Sequence, residues 1–250
     1  NLDLFVSAGA INALYLNNGD DTFTDIGDSV GFIDPTPPAA NEGLGIVDYD
    51  VDGDLDIFIA NNNQWTGEPN IFLRNDNGIY VDVTASTGIH ITNDMSRNVA
   101  SADYDNDGDI DLYISNYGFK RDWLYRNNGD GTFTEVSQFA GINTLDATIG
   151  ASWGDYNNDG NLDIAYAAQH VPARLYRNNG NGTFTECAAA AGLPNYSLEG
   201  LNVAWADYDN DGDVDLQRFD PSRHAKLYRN DGSSNHWLEV NLIGSDCNKA

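Results

Sequence analysis

The stretch Asp103–Asp111, DYDNDGDID, places carboxylates at alternate positions around a single glycine. The same pattern begins again at Asp48, Asp155 and Asp207, so that successive copies start 55, 52 and 52 residues apart. A period of this length is typical of propellers, solenoids and other repeat arrays. The sequence therefore predicts one structural unit copied along the chain.

Each copy has the composition of a loop that wraps a hard cation. Calcium takes six to eight oxygen ligands, and the glycine at the sixth position permits a sharp chain reversal. Side chains at positions one, three, five and nine are predicted to bind Ca²⁺, while the seventh residue, Asp109 in the second copy, contributes its backbone carbonyl. The third copy carries Asn157 and Asn161, so weaker binding is expected there. The four copies supply these predicted metal residues: Asp48, Asp50, Asp52, Asp54, Asp56, Asp103, Asp105, Asp107, Asp109, Asp111, Asp155, Asn157, Asp159, Asn161, Asp163, Asp207, Asp209, Asp211, Asp213 and Asp215.

The residues that follow each loop exclude the EF-hand, another calcium loop with a glycine at position six. An EF-hand requires a glutamate at position twelve and a helix on each side, whereas position twelve here is Ile59, Ile114, Tyr166 or Arg218. The loops instead run into alternating apolar stretches such as 110–114, which read as strands. Ordinary Asp/Gly turns are common, but four copies at matched spacing favour a strand–loop–strand calcium site.

The acidic nonapeptide, its apolar strand and the following stretch Leu124–Glu135 together resemble the FG-GAP/VCBS repeat of integrin-α-like propellers. The resemblance covers nearly the whole chain. It implies an all-β propeller of four-stranded antiparallel blades, each with a calcium-binding hairpin. About five units are present. The first opens at the end of a loop, with Asp3 as its surviving ligand, so we expect a fragment of a larger ring. The family implies seven blades, and a closed five-bladed ring is the alternative.

The domain boundaries follow from the repeats. Residues 1–234 are predicted to form propeller blades, of which the first is incomplete. Residues 235–250 are either the last outer strand or the start of an ASPIC/UnbV-like module, which the segment Asn235–Gly244 resembles.

The composition limits the partners and the compartment. With 39 acidic and 12 basic residues the net charge is −27, which argues against nucleic acid and anionic membranes as partners. No apolar run reaches the length of a membrane span, so no membrane insertion is expected. Calcium loops of this type often work at millimolar calcium, which favours an extracellular, secreted or cell-surface protein. Cys187 and Cys247 either pair or remain two unrelated thiols.

Repeated aromatic and small residues are predicted to build the scaffold. Short strands rich in small residues precede each acidic loop and suit the crowded innermost strand of a blade. An Asn-Gly pair is predicted to give each following hairpin its positive φ angles, and a repeated arginine is predicted to pair with nearby acids. Two aromatic series are predicted to pack between blades: Tyr15, Phe72, Tyr125, Tyr176 and Tyr228, and Phe23, Tyr80, Phe133, Phe184 and Trp237.

The loops that differ between units are expected to share the edge opposite the acidic loops, where a constant frame presents variable recognition residues. The ligand-binding candidates there are Trp65, Tyr117, Trp123, His170 and His224. The sequence thus favours a calcium-stabilised recognition or adhesion module that binds a glycan or an extracellular protein. A polysaccharide-degrading enzyme is an alternative, although no nucleophile or zinc-protease motif is present and no catalytic residue is assigned. A self-associating segment of a surface filament is the third possibility.

Overall fold

The computed structural model describes residues 2–6, 13–32, 41–61, 69–89, 95–195, 200–219 and 225–232. These residues form strands in five antiparallel sheets. The described helical segments are short: two 3-10 helices, Gly27–Val30 and Thr84–Ser86, and the α-helix α1, Ser137–Ala140. The strands are β1 Leu4–Val6, β2 Ala13–Asn17, β3 Phe23–Asp25, β4 Asn41–Val47, β5 Asp56–Asn61, β6 Ile71–Asp76, β7 Ile79–Asp82, β8 Ser96–Ala102, β9 Asp111–Asn116, β10 Trp123–Asn127, β11 Phe133–Glu135, β12 Ala147–Gly154, β13 Asp163–Gln169, β14 Arg174–Asn178, β15 Phe184–Glu186, β16 Asn202–Ala206, β17 Asp215–Phe219 and β18 Lys226–Tyr228.

The sheets follow one another along the chain as propeller blades do. β4 to β7, β8 to β11 and β12 to β15 are complete four-stranded blades, in which each strand pairs with the next. β1 to β3 and β16 to β18 form the first and last sheets, each with three described strands. The all-β propeller-type fold predicted from the repeats is therefore confirmed. The predicted outer strand of the last blade, including Trp237, lies outside the described residues.

From the second blade onward, the first strand of each blade lies against the first strand of its neighbour: β8 contacts both β4 and β12, and β12 contacts β16. Small residues make this approach possible. A methyl group on Gly43 would lie 2.6 Å from the Arg97 carbonyl oxygen, and one on Gly150 would lie 2.9 Å from Asn202 Cα. The prediction that the small-residue strands are innermost is confirmed.

Tryptophans join the innermost strands further along. The Trp153 Nε1–H donates to the Ala100 carbonyl in the preceding blade at 3.1 Å, and the Trp205 Nε1–H donates to the Ser152 carbonyl at 3.2 Å. Each indole therefore spans one blade junction, where its polar group has a partner as buried tryptophan requires.

Aromatic side chains fill the junctions between blades. Phe133 on the outer strand of one blade packs against Tyr49 and Phe72 of the preceding blade, with ring centroids 5.9 Å apart in both pairs. Phe184 packs in the same way against Tyr104, at 5.6 Å. The interblade role predicted for these aromatics is confirmed at these two junctions. Phe23 differs because no described blade lies on its side, and 49% of its surface is exposed.

The hairpin turns differ in part from the prediction. Asn77 and Gly78 both have positive φ, 55° and 89°, as the Asn-Gly pair predicts. In the first hairpin the residues with positive φ are Gly19 and Asp21 instead. The prediction is wrong there because the turn is longer: the Asn18 N–H donates to the Thr22 carbonyl at 3.0 Å. The hairpins 124–137 and 175–188 have the longer form as well.

The acidic loops and these turns share one edge of the array, which we call the loop edge. The Asn77 N–H, in a turn, donates to Asp54 Oδ2 of the adjacent acidic loop at 2.8 Å. The opposite edge, which we call the variable edge, carries the loops between the second and third strands of the blades and the links between blades. Among the described residues, no helix has the length and apolar character needed to cross a membrane.

Candidate metal-binding loops

The loop Asp103–Asp111 is closed by its own carboxylates. Both oxygens of Asp103 accept backbone N–H groups, from Asp107 at 3.1 Å and from Gly108 at 3.0 Å. Asn106 and Gly108 have positive φ, 59° and 97°, so the chain reverses sharply. The carboxylate of the first aspartate thus holds the loop in a closed turn, beside the carboxylates of the third and ninth residues.

The other three loops repeat this geometry. Their first aspartates accept the same two N–H groups at 2.8–3.1 Å. The fourth residue has positive φ in every copy, and in the first copy it is a valine, Val51, with φ 58°. The fourth residue of the third loop, Asn158, also reaches the next loop, where its Nδ2–H donates to Asp213 Oδ1 at 2.6 Å.

Three loops bring carboxylates from positions one, three and nine together, with one oxygen of each within 4.8 Å of the others. These groups could hold a metal ion. The third loop has Asp155 and Asp163 at the equivalent positions, with the amide of Asn157 between them. The three groups are Asp48, Asp50 and Asp56; Asp103, Asp105 and Asp111; and Asp207, Asp209 and Asp215.

The ninth aspartate anchors each loop in the blade. Asp111 is fully buried, and its carboxylate accepts the N–H of Asn127 at 2.8 Å and that of Tyr104 at 3.1 Å. Burial raises the pKa of Asp111 to about 8, although the two backbone hydrogen bonds oppose the rise. Burial likewise raises the pKa of Asp163 to about 7 and that of Asp56 to about 6. The protein alone therefore stabilises these negative charges poorly.

At two loops a buried carboxylate oxygen lacks a hydrogen-bond partner that a bound cation would replace. Asp50 Oδ1 and Asp105 Oδ1 are buried and have no hydrogen-bond partner. Burial and repulsion from Asp52 and Asp107, respectively, raise the pKa of Asp50 and of Asp105. A buried anionic oxygen without a partner is costly, and a divalent cation among several carboxylates removes both the repulsion and the unmet hydrogen-bonding capacity. The residues present fit an oxygen-coordinated metal, which positions one, three and nine would hold.

The fifth and seventh positions lie outside these three groups. Asp107 Oδ1 accepts the N–H of Asp109 at 3.0 Å, and the same bond recurs in the other loops. The carboxylate of Asp109 faces the neighbouring turn. It lies so close to Gly129 that a methyl group added there would be 2.6 Å from Asp109 Oδ2. The ligand roles of Asp107 and of the Asp109 carbonyl stay predictions.

The incomplete first unit has the same anchor. The Asn17 N–H donates to Asp3 Oδ1 at 2.9 Å, as the Asn127 N–H donates to Asp111. Asp3 therefore occupies the ninth position of a loop, as the sequence predicts.

An asparagine at the end of each third strand was missed in the sequence, where it reads as part of a turn. Asn127 and Asn178 are 1% and 2% exposed. The Asn127 Nδ2–H donates to the Tyr49 carbonyl in the preceding blade at 2.7 Å, and Asn127 Oδ1 accepts the Gly129 N–H at 3.1 Å. Asn178 and Asn230 make the same contacts to the Tyr104 and Tyr156 carbonyls. The repeat of asparagine 15 or 16 residues after the ninth aspartate was the available signal.

The repeated arginine pairs with acids in two blades. Arg74 Nε lies 2.7 Å from Asp76 Oδ1, and Arg229 Nε lies 3.4 Å from Asp209 Oδ2 in the adjacent loop. The predicted structural role is confirmed for these two. Both pairs are partly exposed, so each contributes little to stability.

Three of the five ligand candidates, Tyr117, Trp123 and His170, lie among the described residues of the variable edge. The Tyr117 hydroxyl donates to Gln169 Oε1 of the next blade at 2.8 Å, and Arg97 Cζ lies 4.6 Å from the Tyr117 ring centroid. Trp123 is partly buried and packs against the core between two blades. His170 is exposed, with φ 64°. The structure thus gives Tyr117 and Trp123 packing contacts. Trp65 and His224 lie outside the described residues, and a ligand-binding role for all five stays a prediction.

A buried acid also lies at the variable edge, between the third and fourth sheets. Asp122 is 1% exposed and accepts three hydrogen bonds: from the Asn116 N–H at 2.7 Å, the Thr148 hydroxyl at 2.7 Å and the Tyr113 hydroxyl at 2.8 Å. Burial raises the pKa of Asp122 to about 7, against the effect of these bonds. Its contacts mark it as a structural acid of the blade junction.

Blades with innermost small-residue strands, interblade aromatics and one acidic loop each define a repeat protein of the β-propeller class. The FG-GAP-like repeat matches residues 48–114, 103–166 and 162–216. The chain belongs to this family.

Comparison with characterised proteins places the chain among longer relatives. It is 29% identical to cartilage acidic protein 1 of Mus musculus over 195 residues, which cover 69% of this chain, and 27% identical to the Homo sapiens protein over the same length. The chain spans about 30% of the length of these relatives. A solved lectin from Agrocybe aegerita, described as specific for non-reducing terminal N-acetylglucosamine, superposes with a TM-score of 0.53 at 18% identity, over 96% of this chain and 63% of the lectin. That likeness concerns the fold alone.

Proposed function

We propose that this chain is an extracellular recognition module, stabilised by Ca²⁺ at its four acidic loops, whose ligand binds the variable edge. The observation that carries the metal assignment is the convergence of three carboxylates in a loop whose buried Oδ1 atom, on Asp50 or Asp105, has no protein partner. Groups made of carboxylate oxygens match the preference of calcium for hard oxygen donors. The third loop binds more weakly because Asn157 and Asn161 lower its charge.

Calcium contributes to folding here and takes no part in a reaction. Each loop joins the first and second strands of a blade, so neutralising its carboxylates stabilises the hairpin, and binding free energy becomes folding free energy. Free ligand at a hundred times its Kd adds about 2.7 kcal/mol per site. For a chain of this size that corresponds to a rise in Tm of roughly 5–10 °C per site.

A calcium titration tests this assignment. Protein treated with a chelator is titrated with Ca²⁺ in a calorimeter, and its Tm is recorded at each step, with Mg²⁺ as a divalent control of equal charge and stricter geometry. We expect saturable heat and a rising Tm for calcium. The assignment is wrong if chelated and calcium-loaded protein melt at the same temperature.

Recognition is assigned to the variable edge because it carries exposed aromatic and imidazole side chains. Phe119 is 60% exposed on the loop between β9 and β10, and His170 lies exposed on the equivalent loop of the next blade. Aromatic rings suit stacking on a sugar ring or contact with a protein side chain. Calcium loops of extracellular proteins often have affinities near the millimolar calcium concentration outside cells, which agrees with an extracellular module.

A glycan array probed with the calcium-loaded chain distinguishes a glycan ligand from a protein ligand. Phe119→Ala and His170→Ala are expected to weaken any glycan signal. Tyr208→Ala is the matched control, because Tyr208 is an aromatic residue that is 49% exposed in the fourth acidic loop, on the loop edge. Equal losses in all three variants would contradict recognition at the variable edge.

A further inference from the structure

The four metal loops are joined by an unbroken series of hydrogen bonds that crosses every described junction between them. At the first junction the Tyr49 N–H donates to Asp56 Oδ2 at 3.0 Å, and the Tyr49 carbonyl accepts from Asn127 Nδ2 at 2.7 Å. The Asn127 N–H then donates to Asp111 Oδ1 at 2.8 Å. One asparagine thus connects the ninth aspartate of its own blade to the loop of the preceding blade.

The same three steps recur at the next two junctions. The Tyr104 N–H donates to Asp111 Oδ2 at 3.1 Å, and its carbonyl accepts from Asn178 Nδ2 at 2.8 Å, while the Asn178 N–H donates to Asp163 Oδ1 at 2.7 Å. Tyr156 and Asn230 continue the series to Asp215, at 3.2, 2.7 and 2.7 Å. In order, the series runs through Asp56, Tyr49, Asn127, Asp111, Tyr104, Asn178, Asp163, Tyr156, Asn230 and Asp215.

We infer that Asn127, Asn178 and Asn230 are positioning residues that make the four loops bind metal cooperatively. This inference rests on the calcium binding proposed above. Tyr104 lies between Asp103 and Asp105, so a metal held by its neighbours fixes the Tyr104 carbonyl. That carbonyl fixes the Asn178 side chain, and the Asn178 N–H orients Asp163, a ligand of the next metal. Occupation of one loop therefore prepares its neighbour, and by linkage the effect is reciprocal.

Two features make the series suited to this role. Asn127 and Asn178 are almost completely buried, so their hydrogen bonds are strong and not easily replaced by water. Each asparagine also uses its whole side chain, because Oδ1 accepts the turn glycine N–H while Nδ2 donates to two carbonyls, that of the preceding loop and that of the eighth residue of its own loop. If the preceding loop moves away, one of the two Nδ2–H groups of the asparagine loses its acceptor.

Native mass spectrometry of the full chain during a Ca²⁺ titration tests the inference, because it counts bound ions. Cooperative binding predicts that the empty and four-ion species dominate at half saturation. Asn178→Ala interrupts the series at its centre, so the two-ion species is expected to rise at least threefold while one-ion and three-ion species stay scarce. Asn179→Ala is the matched control, because the hydrogen bonds of the Asn179 side chain go to Thr183 and Thr185 of its own turn and do not cross the junction.

A second break point keeps the test decisive where Asn178→Ala fails to fold by circular dichroism. Asn127→Ala separates the first loop from the other three, so one-ion and three-ion species are expected to rise instead. A weak third site alone would give a three-ion species that neither variant changes. Independent binding in the unaltered chain, or equal spectra for Asn178→Ala and Asn179→Ala, overturns the coupling but not calcium binding. A chain that binds no calcium overturns the proposed function and the coupling with it.

Discussion

The two edges of the array hold the same backbone in different ways. On the loop edge, the ninth aspartate accepts the same two backbone N–H groups in all four loops, at 2.7–3.2 Å. On the variable edge, one position before the third strand is Asn70, Asp122 and Ala173 in successive blades. The loop edge depends on one chemistry repeated without change, whereas the variable edge accepts several.

The variable edge shows how interchangeable its solutions are. Asn70 accepts the Asn61 N–H and donates to Ser96 Oγ at 3.0 Å. Asp122 accepts the equivalent N–H and the Thr148 hydroxyl. Where Ala173 takes that position, Asp146 accepts from the Tyr166 hydroxyl and Arg174 instead. A residue there needs only to satisfy buried polar groups, which leaves the surface above it free to vary.

The sharpest test of this contrast removes one buried acid from each edge. Asp111→Ala leaves two N–H donors without acceptors, which costs about 2–6 kcal/mol, and it deletes a proposed metal ligand as well. In calcium, its Tm is expected to fall by roughly 10 °C or more. Asp122→Ala destabilises the protein to a similar extent without metal but keeps the full rise in Tm on calcium addition. The contrast fails if both variants respond to calcium equally, as measured by calorimetry with and without chelator.

The pH dependence of stability separates the edges next. Because burial raises the pKa of Asp122 to about 7, the folded chain binds this proton more tightly than the unfolded chain does. Stability from this group is therefore full at low pH and falls as pH rises from about 4 to 7, by roughly 1.4 kcal/mol per pH unit. Asp122→Asn copies Asn70 and cannot titrate. Its Tm relative to the parent, scanned at fixed calcium, should increase with pH, and parallel curves would contradict this.

The innermost strands belong to neither edge. A variant there tests the close packing between blades, on which both edges depend. A methyl group at Gly150 would lie 2.9 Å from Asn202 Cα and from the Leu201 carbonyl oxygen. Gly150→Ala is expected to cost about 1–3 kcal/mol by overpacking, whether or not calcium is present. Gly27→Ala is the control, because the added methyl meets only ordinary contacts at 3.6 Å or more. Equal urea midpoints for the two variants would contradict close packing of these strands.

The smallest expected effect is a gain in stability from a substitution at the loop edge. Val51 has φ 58° and is 64% exposed, and a β-branched residue in the left-handed region is strained. The equivalent residues are Asn106, Asn158 and Asn210, and asparagine tolerates this region better. Val51→Asn is expected to stabilise the protein by about 1 kcal/mol. Leu55→Asn, a change of an exposed residue in the same loop, should give no gain in thermal melts. A gain of equal size would mean that replacing an exposed apolar side chain, and not the relief of backbone strain, stabilises the protein.

The repeat period made much of the fold predictable. Position in the period identified the strands, the acidic loops and the interblade aromatics, because these residues recur with the same neighbours in sequence. Phe133 and Phe184 pack as their repetition predicts. The remnant loop at Asp3 was predictable for the same reason.

The hydrogen bonds between units were not predictable, because they join residues far apart in sequence. The bond from Asn178 to the Tyr104 carbonyl spans 74 residues, and locally Asn178 reads as a turn residue. Asp122 resembles any surface acid in the sequence, but Thr148, 26 residues later, accompanies it in a buried junction. The loop that makes Tyr117 a ligand candidate gives no sign in the sequence that its hydroxyl bonds to Gln169 of the next blade. The repeat period predicts the position of a residue within its own unit. It does not show which polar group of the neighbouring unit that residue bonds to.

The tryptophans of the innermost strands give the protein its own optical reporters. Trp153 and Trp205 each donate the indole N–H across a junction, to Ala100 and Ser152. Indole emission depends on the polarity around the ring, so separation of two blades would admit water and shift that emission to longer wavelength. Replacing one tryptophan at a time with phenylalanine would assign the fluorescence change to a single junction and time its opening without any attached dye.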